Sequence, residues 1–330
     1  MPSKIINGLG FKFDEALDVK GRLSISDLFP KSKKRCGIYL LCFSDNTFYI
    51  GQAIDTVKRF SQHRKNYDNI VRFWFIEVKK DDLDEVEERL IKNAEGEGLL
   101  ITNKTFVSNV IGDTDLDLVV SVTQQNQWLE KNEMISNEGF ELYPSIDLKY
   151  KIKYQHNFEK LKRNESYPQV KRILKKYIEK CIPAYKKTEL SFWALSCMPS
   201  TNIRTYPRCF CININAMEVF VLGYAKKKKN HFCFIITTTK FLDGVADVEK
   251  VGEKLCEKYK ELALYESNYR AAGGDQICFD FQNLEEFEKF FDSENKIIDS
   301  IKEMNLRLMR KGGTIYSPYH CFDLAKDVLG

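Results

Sequence analysis

Gly37-Ile38-Tyr39-Leu40-Leu41-Cys42-Phe43-Ser44-Asp45-Asn46-Thr47-Phe48-Tyr49-Ile50-Gly51 is the stretch on which the fold turns. Two apolar, aromatic and β-branched runs flank Ser44-Asp45-Asn46-Thr47, whose short polar side chains bond their own backbone and favour a reversal. The stretch therefore predicts a hairpin of two strands, Gly37–Phe43 and Phe48–Gly51.

Downstream, Asp55 is a candidate N-cap for a helix running to about Asn66, since its carboxylate can accept from free amides of the first turn. Ile70–Val78, rich in aromatic and β-branched residues, predicts a third strand. Leu83, Val86, Leu90 and Ala94 form the apolar stripe of a second helix over about Leu83–Ala94. A small three-stranded sheet flanked by helices follows.

Upstream, residues 1–35 carry Gly, Asp and Pro punctuation and read as a lead-in. Residues 112–187 read as a connector, in which Leu116–Val122 suits a strand, Gln124–Ile135 a helix and Tyr167–Cys181 an amphipathic helix. On that last helix Lys171, Arg172, Lys175, Lys176 and Lys180 face largely outward, as either a solvated face or a nucleic-acid surface. Residues 188–330 alternate apolar and polar residues at Phe192–Cys197, Arg208–Ile214, Val219–Tyr224, Phe232–Thr238 and Gln276–Phe281, with helices at about Val248–Leu264, Leu284–Phe291 and Asn295–Met309. A second α+β domain with an antiparallel or mixed sheet is the economical expectation.

The totals agree with two domains. The chain has 330 residues, 43% of them hydrophobic and 30% charged, more than a single core usually supports. No apolar run approaches a membrane span and no secretory leader is evident, so a cytoplasmic location without membrane partners is expected, with ten reduced cysteines. Cys209 and Cys211, one residue apart, are expected on one face of a strand as packing residues. The net charge of +4 is unevenly placed: residues 149–187 hold 13 Lys or Arg against three Glu, an asymmetry that suits a polyanionic partner.

Three features carry chemistry. Arg59 and His63, four apart on one helix, present a fixed cation and a proton handler to the same side, the two groups phosphoryl chemistry needs. Glu87 falls inside the apolar stripe between Leu83, Leu90 and Ile91, where a carboxylate requires a cation, a metal ion or strong donors. Tyr39 and Tyr49 sit on neighbouring strands, where a phenol can donate to phosphate or help activate water.

Taken together, these residues resemble the GIY-YIG nuclease family. The resemblance comprises Gly37-Ile38-Tyr39, nine intervening residues, Tyr49-Ile50-Gly51, then Arg59 and His63, then Glu87 in Glu87-Glu88-Arg89-Leu90-Ile91, and Asn103 in Thr102-Asn103-Lys104. It falls within the N-terminal third of the chain, at residues 36–111, and implies a small mixed sheet flanked by helices. Ala94-Glu95-Gly96-Glu97-Gly98-Leu99-Leu100 departs from the proline-containing stretch of repair-type members. The resemblance implies a DNA endonuclease using one divalent cation, Mg2+ or Mn2+, with Glu87 as metal ligand. Arg59 would stabilise the phosphorane or its leaving charge; His63, Tyr39 and Tyr49 would position or deprotonate water; and Asn103 would order the local network.

The resemblance leaves the C-terminal domain unassigned. Target selection in restriction or phage defence is one expectation for it. The alternative is a binding or sensor protein in which the nuclease module only holds nucleic acid. RNA stays open as substrate, and a double-strand break would call for two protomers or two events. Gly273-Gly274-Asp275 and Lys311-Gly312-Gly313 read as turns, and Lys226–Lys229 as a hairpin tip. His156, His231 and His320 show no ligand spacing. Tyr316, Tyr319, His320 and Asp323 form one segment without a partner constellation.

Overall fold

The computed structural model describes residues 6, 8–131, 135–136, 148–242 and 248–330. The start of the expected lead-in and residues 132–134 of the helix expected over Gln124–Ile135 lie outside them. The chain forms two compact units, Met1–Gly112 and Asp113–Gly330. Both are α+β, each built on an antiparallel sheet.

In the first unit, β1 (Leu17–Asp18), β2 (Gly37–Phe43), β3 (Phe48–Ala53) and β4 (Ile70–Glu77) join in the order β1-β4-β2-β3. The expected hairpin forms, with Asp45 Oδ1 accepting from the amide and hydroxyl of Thr47 at 3.0 and 2.7 Å, and Asn46 in the left-handed region at φ 63°. The sheet has four strands rather than three, and every paired strand is antiparallel rather than mixed. The extra strand comes from the lead-in, which packs into this unit. A parallel element survives only as the isolated bridge Phe48–Ile101.

Strand β2 is buried along its whole length because the sheet is covered on both faces. Ile38, Leu40 and Cys42 pack under α2 (Leu83–Gly96), against Leu83, Leu90, Ile91 and Ala94. Tyr39, Leu41 and Phe43 pack on the other face, against Val57 and Phe60 of α1 (Thr56–Asn66) and against Val19, Ile25 and Phe29 of the lead-in. Asp55 caps α1 as its sequence predicts, its carboxylate accepting from the amides of Val57 and Lys58 at 3.0 and 3.2 Å. These two covers decide where side chains can meet: odd residues of β2 look toward α1, even ones toward α2.

The second unit contains α3 (Val122–Lys131), α4 (Leu148–Lys162), α5 (Tyr167–Cys181) and α6 (Tyr185–Thr188). It continues with β5 (Trp193–Cys197), β6 (Arg208–Ile214), β7 (Met217–Ala225), β8 (Asn230–Thr238), α7 (Val248–Lys258), β9 (Leu262–Glu266) and β10 (Gln276–Phe281). It closes with α8 (Leu284–Ser293), α9 (Asn295–Arg310) and α10 (Phe322–Leu329). Its sheet order is β5-β6-β7-β8-β10-β9. The former connector belongs to this unit, with Tyr177 of α5 buried against Phe220 and Phe291.

Three expectations fail here for local reasons. Leu116–Val122 is a 3₁₀ turn over Asp115–Leu118 leading into α3, because Thr114 and Asp117 form a reciprocal capping box. The helix expected to Leu264 stops at Lys258, and Leu262–Glu266 becomes the edge strand beside β10. Cys209 and Cys211 lie on opposite faces, since a bulge between Arg208 and Phe210 shifts the alternation by one residue.

Candidate active site

Tyr39, on the α1 face of β2, lies directly opposite Gly51 of β3. A side chain at Gly51 would strike the Tyr39 hydroxyl and come within 2.8 Å of the Tyr49 ring, so this glycine is the space that the two phenols occupy. Their rings stack at 6.3 Å between centroids. Gly37 serves a similar end at the start of β2, where a Cβ would run into the Ile76 carbonyl.

Helix α1 brings two groups to the Tyr39 hydroxyl. His63 Nε2 lies 2.7 Å from it, and Arg59 Nε donates to it at 3.2 Å. The i, i+4 spacing read in the sequence is what allows both contacts from one helix face. Arg59 is largely exposed and its Nη1 donates to Gln62 Oε1 at 3.2 Å, whereas His63 is only 7% exposed.

Burial shapes the protonation of this cluster. It pushes the Tyr39 phenol well above its ordinary value, with Tyr49 adding in the same direction and the Arg59 hydrogen bond opposing. Tyr49 is raised by burial too, against the pull of Arg59. His63 falls to about 4, through burial and then through the neighbouring Arg59 charge. At neutral pH the imidazole is therefore uncharged, and Arg59 is the fixed cation of the group.

Glu87 arrives from the other side of the sheet. Its carboxylate is buried, 8% exposed, as its place in the α2 stripe requires. Gln52 lies opposite Ile38, on the α2 face, and its amide donates to Glu87 Oε2 at 2.8 Å and to Asp84 Oδ1 at 2.5 Å. The Glu87 charge also reaches both phenols, raising them further. The two faces thus converge around Gly51 and Gln52 of β3, an edge strand of the sheet.

Asn103 holds that edge. Its Nδ2 donates to the Ile50 carbonyl at 2.6 Å and its Oδ1 accepts from the Ile50 amide at 3.0 Å, replacing the neighbour strand that β3 lacks there. The Phe48 amide donates to Leu100 O at 2.8 Å and the Thr102 amide to Phe48 O at 2.7 Å, which leads the chain into this position.

Comparison with protein-family models, with curated proteins and with solved structures yields no match.

The structure brings all six expected residues, Tyr39, Tyr49, Arg59, His63, Glu87 and Asn103, to one strand edge. Gln52, Asp84 and Gln62 were missed, although hairpin register alone places Gln52 on the face opposite Gly51. The donor set fits a hard divalent cation in its chemistry: a buried carboxylate at Glu87 with a second, exposed one a turn away at Asp84. Among the described residues no group of three or more His, Cys, Asp or Glu is placed to hold a metal ion together.

The cations expected to face nucleic acid on α5 are each beside a carboxylate. Lys171 meets Asp327 at 2.8 Å, Arg172 meets Glu288 at 2.7 Å and Lys176 meets Asp292 at 2.7 Å. Lys180 and Lys175 lie 3.9 and 3.8 Å from Asp292 and Glu179. These four carboxylates, three of them presented by α8 and α10 and Glu179 by α5 itself, offset most of the charge of the five cations. Among the described residues no helix is long and apolar enough to cross a membrane.

Proposed function

We propose that the first unit is a GIY-YIG-type endonuclease that hydrolyses DNA phosphodiesters with Mg2+ or Mn2+, the second unit selecting where it acts. The observation that carries this reading is the hydrogen-bonded set Arg59–Tyr39–His63 facing the Glu87 carboxylate across Gly51. A hydrolase of a charged diester needs an acceptor for the water proton, a cation at the phosphorane and a carboxylate for metal, and these groups supply one each.

The geometry supports one role for each group. A buried phenol resists ionising and the His63 imidazole resists charging, so Tyr39 takes a proton from water as it hands its own to neutral His63, 2.7 Å away, which carries it only in passing and gives it up to the leaving oxygen. Arg59, donating through Nε, steadies the Tyr39 oxygen as its proton leaves, and its exposed guanidinium end, which donates to Gln62, can turn to meet a phosphate oxygen. Tyr49, less buried than Tyr39, faces the same space and orients the water or the diester. Glu87 is the residue that would hold the cation, steadied by Gln52; when bound, such an ion neutralises phosphate charge and polarises the scissile bond.

The direct test is incubation of the purified chain with plasmid DNA and Mg2+ or Mn2+, beside Glu87→Ala and Arg59→Ala. Metal-dependent nicking that both variants lose supports the reading. Equal nicking by all three proteins would overturn it.

A further inference from the structure

A cavity of about 490 Å³ opens in the second unit, within the range of small-molecule sites. Its polar floor comes from β5–β7. Ser196, Asn213 and Glu218 line it, and aromatic walls come from Tyr154, Tyr316 and Tyr319. Two of those tyrosines belong to the C-terminal segment whose partner constellation was not visible in the sequence; folding brings it against β5 and β6.

The floor is built, and one of its groups lacks a partner. Asn213 is 3% exposed, and its Oδ1 accepts no hydrogen bond from the described residues. An orphaned carbonyl of this kind costs about 1–3 kcal/mol, so its persistence points to a donor supplied from outside. Glu218 lies in register across the β6–β7 hairpin from Asn213, and its carboxylate pairs with the buried Arg208. Among the described residues no lysine or arginine lines the cavity, and Arg208 is committed to Glu218, so the floor accepts hydrogen bonds while carrying little net charge.

These features select a chemistry. An anion finds no free cation here, and a purely apolar ligand would leave Asn213 Oδ1 unpaired. A flat, uncharged heterocycle bearing amino donors satisfies both the acceptors and the aromatic walls. We propose that this cavity takes a nucleobase carrying an exocyclic amine, its donors on Asn213 Oδ1 and the Glu218 carboxylate and its ring against Tyr316 and Tyr319. Exposed Arg204 follows Ile203 of the cavity lining, and its loop is joined to the exposed Lys226–Lys229 turn by the Lys226 amide donating to Thr205 O at 3.1 Å. A polynucleotide backbone would lie there while one extruded base enters.

The inference stands on the second unit alone, and its test involves no cleavage. Calorimetric titration of the full chain with free nucleosides would pair adenosine with purine riboside, guanosine with inosine and cytidine with uridine. At least one amino-bearing nucleoside should bind, and its partner lacking the amine should bind at least about fivefold more weakly. Asn213→Leu should weaken binding about tenfold while leaving Tm equal or higher, because the orphaned carbonyl disappears. Tyr319→Ala, at a side chain 53% exposed, should weaken it about five- to tenfold without unfolding. Glu87→Ala should leave nucleoside binding unchanged, which keeps this result separate from the nuclease reading. Absence of binding at millimolar nucleoside, indifference to the amine, or full binding by Asn213→Leu would each overturn the proposal.

Discussion

The hydroxyl of Tyr39 stands 2.7 Å from Nε2 of His63, although 24 residues separate them. One lies on the central hairpin and the other on the helix that covers it. With Arg59 donating to the same oxygen at 3.2 Å, the phenol has a cation to stabilise it and an uncharged acceptor for its proton. Tyr39→Phe keeps the ring and deletes only the oxygen, so the sheet should hold while cleavage falls about 10²- to 10⁴-fold. Single-turnover cleavage rates measured beside Tm check this, and an unchanged rate would remove Tyr39 from the proton path.

His63 also links the site to stability. Folding lowers its pKa from 6.5 to about 4. The unfolded chain therefore takes up a proton as pH drops through about 6.5, while the folded chain refuses it until about 4. The stability is fully present above the unfolded value and is lost as pH falls toward the folded one, amounting at pH 5 to about 2 kcal/mol for a difference of about 1.5 pH units. Hydrogen exchange of the β2–β4 amides at pH 7.5 and pH 5 should show this loss in the wild type and a flatter response in His63→Gln. The same slope in both proteins would exclude His63 as its source.

Gly51 tests whether the phenols need their observed places. Its missing side chain leaves the room filled by the Tyr39 hydroxyl and the edge of the Tyr49 ring. Gly51→Ala should displace both, lowering cleavage about 10²-fold and stability by about 1–3 kcal/mol. Wild-type cleavage by a folded Gly51→Ala protein would show that the phenol positions do not matter.

Much of this site is legible in the sequence because its parts are local. A hairpin flanked by turn residues, an Asp cap, an i, i+4 pair and a carboxylate inside an apolar stripe are each determined within one or two turns of chain. What escaped is set at long range. Strand β1 adds to the sheet through Leu17 and Asp18, which lack any strand-like run of their own. The pairing of Lys171 and Arg172 with Asp327 and Glu288 needs partners over a hundred residues away. The split of Cys209 from Cys211 depends on a bulge that no residue type announces. Glu87 shows the opposite case, since helical period alone predicted its burial.

Asn103 was expected to order the local network, and in the structure its amide is bonded to the Ile50 backbone. Both polar ends of its amide are used by Ile50, at 2.6 and 3.0 Å. Asn103→Leu preserves the volume but strands a buried amide and carbonyl on β3, costing about 2–3 kcal/mol. Faster hydrogen exchange at Ile50, with cleavage reduced less than in Tyr39→Phe, is the expected pattern. Normal protection of the Ile50 amide would contradict it.

The carboxylates on α2 should separate by role. Glu87 is buried against the sheet and Asp84, a turn earlier, is exposed, yet one Gln52 amide donates to both. If Glu87 holds the cation, Glu87→Gln should abolish cleavage at every Mg2+ or Mn2+ concentration, since a neutral amide binds hard cations poorly. Asp84→Asn removes a more distant, hydrated charge, so it should raise the half-saturating metal concentration several-fold and leave the maximal rate within about threefold. Gln52→Leu frees the Glu87 carboxylate from its fixed orientation, and should lower the maximal rate more than it shifts the metal midpoint. Metal titrations of cleavage, with Mn2+ binding followed by electron paramagnetic resonance, distinguish these outcomes. Loss of Mn2+ binding in Asp84→Asn with retention in Glu87→Gln would transfer the ligand role from Glu87 to Asp84.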